Sequence, residues 1–95
     1  MSERKQSAFE LVDRTDEEMY YPLGIFLTLK DAVDAVEQQA EPWQLSEQAY
    51  DGDYVRLEIR ERQVGLSQHG EVVWSRSWEN IYDEARDECS WKARP

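Results

Sequence analysis

The sequence has few of the residues that would support a disulfide framework, a histidine-based site or a membrane anchor. It contains one cysteine, Cys89, which cannot form an internal disulfide, and one histidine, His69. Its most apolar stretch, residues 23–27, is too short to span a bilayer. The charged first residues predict no secretory signal. We therefore expect one cytoplasmic domain over residues 1–95, with residues 1–6 and 91–95 frayed.

Basic residues are absent from the middle of the chain. The formal net charge is −10, and residues 31–54 contain no Lys or Arg. The charged residues of this segment are Asp31, Asp34, Glu37, Glu41, Glu47, Asp51 and Asp53. A surface of this sign repels phosphates and anionic membranes and attracts basic proteins. The pattern disfavours nucleic acid and membrane as partners, although acidity that only maintains solubility is the alternative.

Residues 29–40 have the spacing of an amphipathic helix. The apolar residues recur at i, i+3, i+4 and i+7 and are Leu29, Ala32, Val33, Val36 and Ala40. Thr28 is placed to cap the N-terminus, and Pro42 prevents continuation. The polar residues on the opposite side of this helix are Lys30, Asp31, Asp34, Glu37, Gln38 and Glu41.

Alternating apolar residues predict strands over residues 7–13, 43–50, 54–62 and 71–78, with a possible short strand at 23–27. Gly65 suggests a bulge and residues 67–70 a turn. A short C-terminal helix, capped by Ser77 or Asn80, would place Ile81, Ala85 and Cys89 on one face. The predicted fold class is α+β: a two-layer sandwich of a mainly antiparallel sheet of three to five strands, packed by one central amphipathic helix.

No motif in the sequence points to catalysis. His69 lies in a predicted turn, and no recognisable nucleophile elbow accompanies it. The two phosphate-binding glycine motifs, G-x-x-x-x-G-K-[ST] and G-x-G-x-x-G, are both absent from the sequence. The carboxylates do not follow the twelve-residue calcium-loop spacing. We therefore predict a protein that is not an enzyme and that has no cofactor and no metal site.

Arginine and tryptophan alternate on the predicted hairpin and leave two arrangements open. The residues concerned are Arg56, Arg60, Trp74, Arg76 and Trp78. In the favoured arrangement the two tryptophans join the core beneath the helix. In the other, they lie across from the arginines and form an exposed binding platform. A one-residue change in register converts one arrangement into the other.

These patterns favour a non-enzymatic protein-interaction module, such as an accessory, immunity-type or phage-type antagonist protein. Its predicted partner is a basic protein bound through Asp31, Asp34, Glu37, Glu41, Asp51 and Asp53. The alternative is a small-ligand binder or small enzyme that uses the Trp/Tyr/Arg-lined sheet face. An exposed sheet edge also makes a homodimer possible.

Overall fold

A computed structural model describes residues 7–63 and 70–94, which form a five-stranded antiparallel sheet and one α-helix. The strands are β1 (Ser7–Asp13), β2 (Tyr21–Phe26), β3 (Tyr54–Gln63), β4 (Glu71–Asp83) and β5 (Glu88–Arg94), in the order β2-β1-β3-β4-β5. The helix α1 (Leu29–Glu37) and two 3₁₀ turns (Pro42–Leu45 and Glu47–Ala49) connect β2 to β3. This agrees with the predicted α+β class, although strand is the dominant structure.

The helix begins where the sequence predicts and ends three residues early. The Thr28 Oγ1 atom accepts a hydrogen bond from the Asp31 backbone N–H at 3.1 Å, which caps the first turn. Ala32 and Val36 are fully buried, whereas Ala40 is exposed. Because the chain gains no burial after Val36, the helix ends at Glu37, before Pro42 forces the backbone out of helical conformation.

One face of the sheet carries the core. Leu11, Val55, Leu57, Ile59 and Trp78 are buried together with the two helical residues Ala32 and Val36. Parts of both 3₁₀ turns also pack against this cluster. We call this the covered face. The alternate residues of each strand point to the opposite side, which we call the open face because no described helix packs against it.

Residues 43–50 do not form the predicted strand. They lie in the two 3₁₀ turns, with Pro42 at the start of the first and the Ser46 hydroxyl capping the second by accepting from the Gln48 N–H at 3.1 Å. Trp43 and Leu45 both pack toward the core from this irregular segment. The apparent period-two pattern therefore came from turn residues whose apolar side chains happen to be spaced two apart.

The predicted C-terminal helix is also wrong, because its residues form the β4–β5 hairpin. Asp83 Oδ1 accepts from the Ala85 N–H at 2.9 Å, which starts a turn, and Asp87 has a left-handed φ of 52°. Residues 91–94, expected to fray, pair with β4. The helical spacing of Ile81, Ala85 and Cys89 is overridden by turn-forming aspartates and by cross-strand pairing.

The β3–β4 connection requires a glycine at Gly70. A Cβ atom built there would lie 1.6 Å from the backbone oxygen of Glu61, so no other residue fits without moving the strands. The predicted bulge at Gly65 and most of the predicted turn at 67–70 lie outside the described residues.

Within the described part of the chain, no helix has the length and apolar character to cross a membrane.

Candidate functional site

The segment between residues 31 and 54 lies on the outside of the covered face. The helix contributes Asp31, Asp34 and Glu37, and the 3₁₀ turns and the loops beside them contribute Glu41, Glu47, Asp51 and Asp53. Apart from Asp34, which is half-buried, these seven residues are exposed. We call them the acidic layer. The six acids predicted as partner-binding residues all belong to the acidic layer, and Glu47 is its seventh member.

Two members of the acidic layer form ion pairs. Lys30 Nζ lies 2.7 Å from Asp34 Oδ2 one helical turn away, and the Asp34 carboxylate raises the pKa of Lys30. Arg76, on β4, reaches Glu37 at 3.3 Å and also stacks over the Trp74 ring at 5.2 Å. The other five acids have no basic group within 4.0 Å among the described residues. Most of the negative charge of the layer is therefore uncompensated.

The open face holds its carboxylates in a different way. Glu58 is 6% exposed and lies among Arg14, Arg56 and Arg60, with its closest contacts 3.1 Å from the latter two guanidinium groups. The Arg60 Nη1 atom also donates to the Gly70 backbone oxygen at 3.1 Å. A carboxylate buried to this extent is tolerated because several charge-assisted hydrogen bonds satisfy it.

A second buried carboxylate, Glu10, completes this network. Its Oε2 atom accepts from Arg62 at 3.2 Å, and its Oε1 atom accepts from the Tyr20 hydroxyl. The Tyr20 ring also lies 5.9 Å from the Arg14 guanidinium and 5.7 Å from that of Arg60. Burial of the Tyr20 hydroxyl and, to a smaller extent, its hydrogen bond to Glu10 raise the pKa of Tyr20 to about 12. We call this group the arginine–glutamate network.

The register decides where the predicted arginine–tryptophan set lies. Trp78 is opposite Val55, Arg76 opposite Leu57, and Trp74 opposite Ile59, so all three β4 residues belong to the covered face. Arg56 and Arg60 point to the open face. The five residues therefore do not form one platform, and the favoured arrangement, with Trp78 in the core at 3% exposure, is the one that the register produces.

An aromatic pocket lies beside two acids of the layer, Glu47 and Asp51. It was not predicted from the sequence. It has a volume of about 730 Å³ and opens to solvent. Its lining includes Trp43, Ser46, Glu47, Tyr50, Asp51 and Trp91. The Trp43 and Trp91 rings stack with centroids 5.8 Å apart and planes inclined by 17°, and Tyr50 is 93% exposed. We call this the Trp43–Trp91 pocket.

No signal in the sequence brings Trp43 and Trp91 together, because Trp91 was expected in a frayed terminus and Trp43 in a strand. The stack forms because β5 brings Trp91 back beside Asn80 on the covered face. The Asn80 side-chain oxygen is buried and has no hydrogen-bond donor among the described residues. An acceptor without a donor therefore lies on the strand next to the tryptophan stack.

A buried carboxylate anchors the loop that forms one wall of the pocket. Asp13 Oδ1 accepts from the Thr15 backbone N–H at 3.0 Å and from its hydroxyl at 2.7 Å. Asp13 Oδ2 accepts from the Ser46 hydroxyl, and Thr15 in turn accepts from the Arg56 N–H at 3.0 Å. This chain of bonds fixes the 3₁₀ turns to β1 and β3 and so positions Trp43 and Tyr50.

Other reactive side chains are not gathered into a site in the described structure. Cys89 is exposed on β5, rather than on the apolar side of a helix as expected. His69 lies outside the described residues. No group of three or more His, Cys, Asp or Glu side chains suited to a metal ion occurs in residues 7–63 and 70–94.

Comparisons of the chain with protein-family models, with curated proteins and with solved structures gave no match.

Proposed function

We propose that the chain is a non-enzymatic protein-interaction module that binds a basic protein partner through the acidic layer. An accessory, immunity-type or antagonist role is the class of function that fits such a module. The observation that carries the proposal is the uncompensated charge of the layer. Five exposed acids on one side of the protein have no basic group within 4.0 Å in the described structure.

The contrast with the open face supports this choice of surface. There, two buried carboxylates are each bonded to arginine, so their charge is used inside the protein. The acids of the layer contribute little to folding, because exposed charges in water interact weakly. Uncompensated charge of one sign steers an oppositely charged partner and speeds its association.

The layer is also held in a defined position, which favours recognition over mere solubility. The Thr28 cap fixes the start of α1, and the Ser46–Asp13 hydrogen bond fixes the 3₁₀ turns. Rigid presentation of charges lowers the conformational entropy lost on binding.

Affinity capture with charge-reversal variants tests the proposal. We would immobilise the wild-type protein and the double variant Asp31→Lys/Glu41→Lys, whose two acids are exposed and unpaired in the described structure. Proteins from a lysate of the native cell would be captured at about 50 mM salt and identified by mass spectrometry. We expect a basic protein that the wild type retains and the double variant loses.

The matched control reverses two acids outside the layer, in Glu84→Lys/Glu88→Lys at the β4–β5 hairpin, where both residues are exposed. This variant changes the net charge by the same amount and should retain the partner. Equal loss from both variants would mean that only net charge matters, and equal retention would show that the acidic layer does not bind the partner.

A further inference from the structure

We infer that the Trp43–Trp91 pocket binds a positively charged side chain of the partner, arginine in preference to lysine. This inference rests on the proposed function and names the chemistry of one contact within it. It makes the pocket the point of specific recognition, whereas the rest of the acidic layer supplies long-range attraction.

The composition of the pocket is the first support. Aromatic rings attract a cation through the negative charge of their faces, and tryptophan does so most strongly. The pocket combines the stacked rings of Trp43 and Trp91 with the exposed ring of Tyr50. Two carboxylates, Glu47 and Asp51, lie on its lining, and neither has a basic partner among the described residues.

The charge of the pocket excludes several other occupants. An anion would meet two carboxylates and no described basic side chain. A purely apolar group would bury the carboxylates without a counter-charge, which is unfavourable. A cation with an apolar stem satisfies both parts of the lining, because its methylene groups contact the rings while its charge lies near the acids.

The preference for arginine comes from hydrogen-bond donors. A planar guanidinium stacks on an indole ring and still offers several N–H groups in its plane. On the lining of the pocket, the carboxylates of Glu47 and Asp51 can accept these donors, and Gln44 also lines the pocket. Among cationic side chains, arginine supplies the largest number of donors for carboxylate and amide oxygens.

The test uses a terminally capped peptide whose only charge is one arginine, acetyl-Gly-Ser-Gly-Arg-Gly-Ser-Gly-amide, titrated into the isotopically labelled protein at low salt. The indole N–H signals of the four tryptophans are followed by NMR. We expect Trp43 and Trp91 to shift, and Trp74 and Trp78 to stay unchanged. A peptide with lysine should bind more weakly, and one with citrulline, which has the shape of arginine without its charge, at least about 5-fold more weakly.

Two variants locate the site without disturbing the fold. Tyr50→Ala removes a ring that is 93% exposed, and Glu47→Gln/Asp51→Asn removes the two charges. Each should weaken binding of the arginine peptide about 5-fold. The controls Tyr82→Ala and Glu84→Gln/Glu88→Gln change an exposed tyrosine and two exposed acids at the β4–β5 hairpin, outside the pocket lining, and should bind like the wild type.

Equal binding of the arginine and citrulline peptides would overturn the inference, as would shifts that spread equally over all four indoles. This failure is distinguishable from failure of the proposed function. If the partner is still captured in an Asp31/Glu41-dependent manner but the peptide does not bind, only the pocket assignment is wrong. If the peptide binds and no basic partner is captured, the proposed function is wrong and the cation site stands.

Discussion

The two faces of the sheet use carboxylates in opposite ways. On the open face, Glu10 and Glu58 are at most 6% exposed and are bonded to arginines. On the outside of the covered face, Asp31, Glu41 and Asp51 are exposed and have no basic group within 4.0 Å in the described chain. The same chemical group is therefore part of the folded network on one side and remains exposed to solvent on the other.

This difference teaches that net charge alone does not locate a binding surface. A buried carboxylate without its arginines costs several kcal/mol, so its partners are part of the fold. An exposed carboxylate costs little to leave unpaired. Substitutions on the open face should therefore change stability, and substitutions in the acidic layer should change binding.

The largest effect is expected from Glu58→Gln. The variant leaves Arg14, Arg56 and Arg60 close together without their shared counter-charge, and should lower the free energy of unfolding by about 2–3 kcal/mol. The arginines are partly exposed, with 20–36% of each side chain accessible, which keeps the cost below that of a fully buried pair. Urea unfolding measures this loss as a lower midpoint concentration with an unchanged m-value. Glu47→Gln is the matched control and should change stability by less than about 0.5 kcal/mol.

The second prediction concerns the carboxylate that is buried without arginines. Asp13→Ala removes the acceptor for Ser46 and Thr15 and should cost about 2 kcal/mol. It should also release the 3₁₀ turns. Relative to the wild type, hydrogen exchange of the backbone amides of residues 43–49 should therefore accelerate more than that of the β3 amides. Uniform acceleration over the whole chain would instead show that Asp13 has no special role in holding this loop.

The third prediction is a pH dependence at Tyr20. Its folded-state pKa is raised to about 12 from an ordinary value of 10.0, so the folded protein keeps the hydroxyl proton longer than the unfolded chain does. The stabilisation is complete below about pH 10 and is lost as the pH rises toward about 12. Tyr20→Phe should cost about 1 kcal/mol near pH 7, and this difference should shrink above about pH 10.

Tyr21→Phe is the control for this titration, because Tyr21 is 41% exposed and makes no hydrogen bond through its hydroxyl in the described structure. Its stability should follow that of the wild type across the same range. A constant difference between wild type and Tyr20→Phe from about pH 8 to about pH 12 would contradict the assignment.

The smallest effect is expected for the ion pair between Glu37 and Arg76 on the covered face. Glu37→Gln breaks the 3.3 Å contact with Arg76, but both side chains are well exposed, at 47% and 38%. The free energy of unfolding should change by less than about 0.5 kcal/mol, and less still at high salt. A cost comparable to that of Glu58→Gln would remove the distinction between the two faces.

Local sequence signals predicted β1, β3, the Thr28 cap and the start of α1, because each rests on short-range periodicity or capping. They failed where tertiary contacts decide the structure. Ser46 is held by Asp13, which is distant in the sequence, and this contact fixes residues 42–49 as turns rather than as a strand. At the C-terminus, pairing with β4 outweighed a helical spacing of three apolar residues.

The acids of the candidate site could be identified from the sequence because their signal is compositional: no basic residue interrupts residues 31–54. The aromatic pocket could not, because it joins Trp43 to Trp91 across 48 positions of the chain. The side of the sheet on which Trp74 and Trp78 lie depended on register, which a period-two pattern alone does not determine.

The central claim is that the acidic layer steers a basic partner, and its most direct test is the salt dependence of the association rate. Once a captured partner has been purified, its rate constant would be measured by stopped flow between about 50 and about 500 mM salt. For the wild type we predict a steep decline with salt. For Asp31→Lys/Glu41→Lys we predict a rate at least about 10-fold lower at low salt and a shallower dependence. Identical slopes for the two proteins would contradict the account.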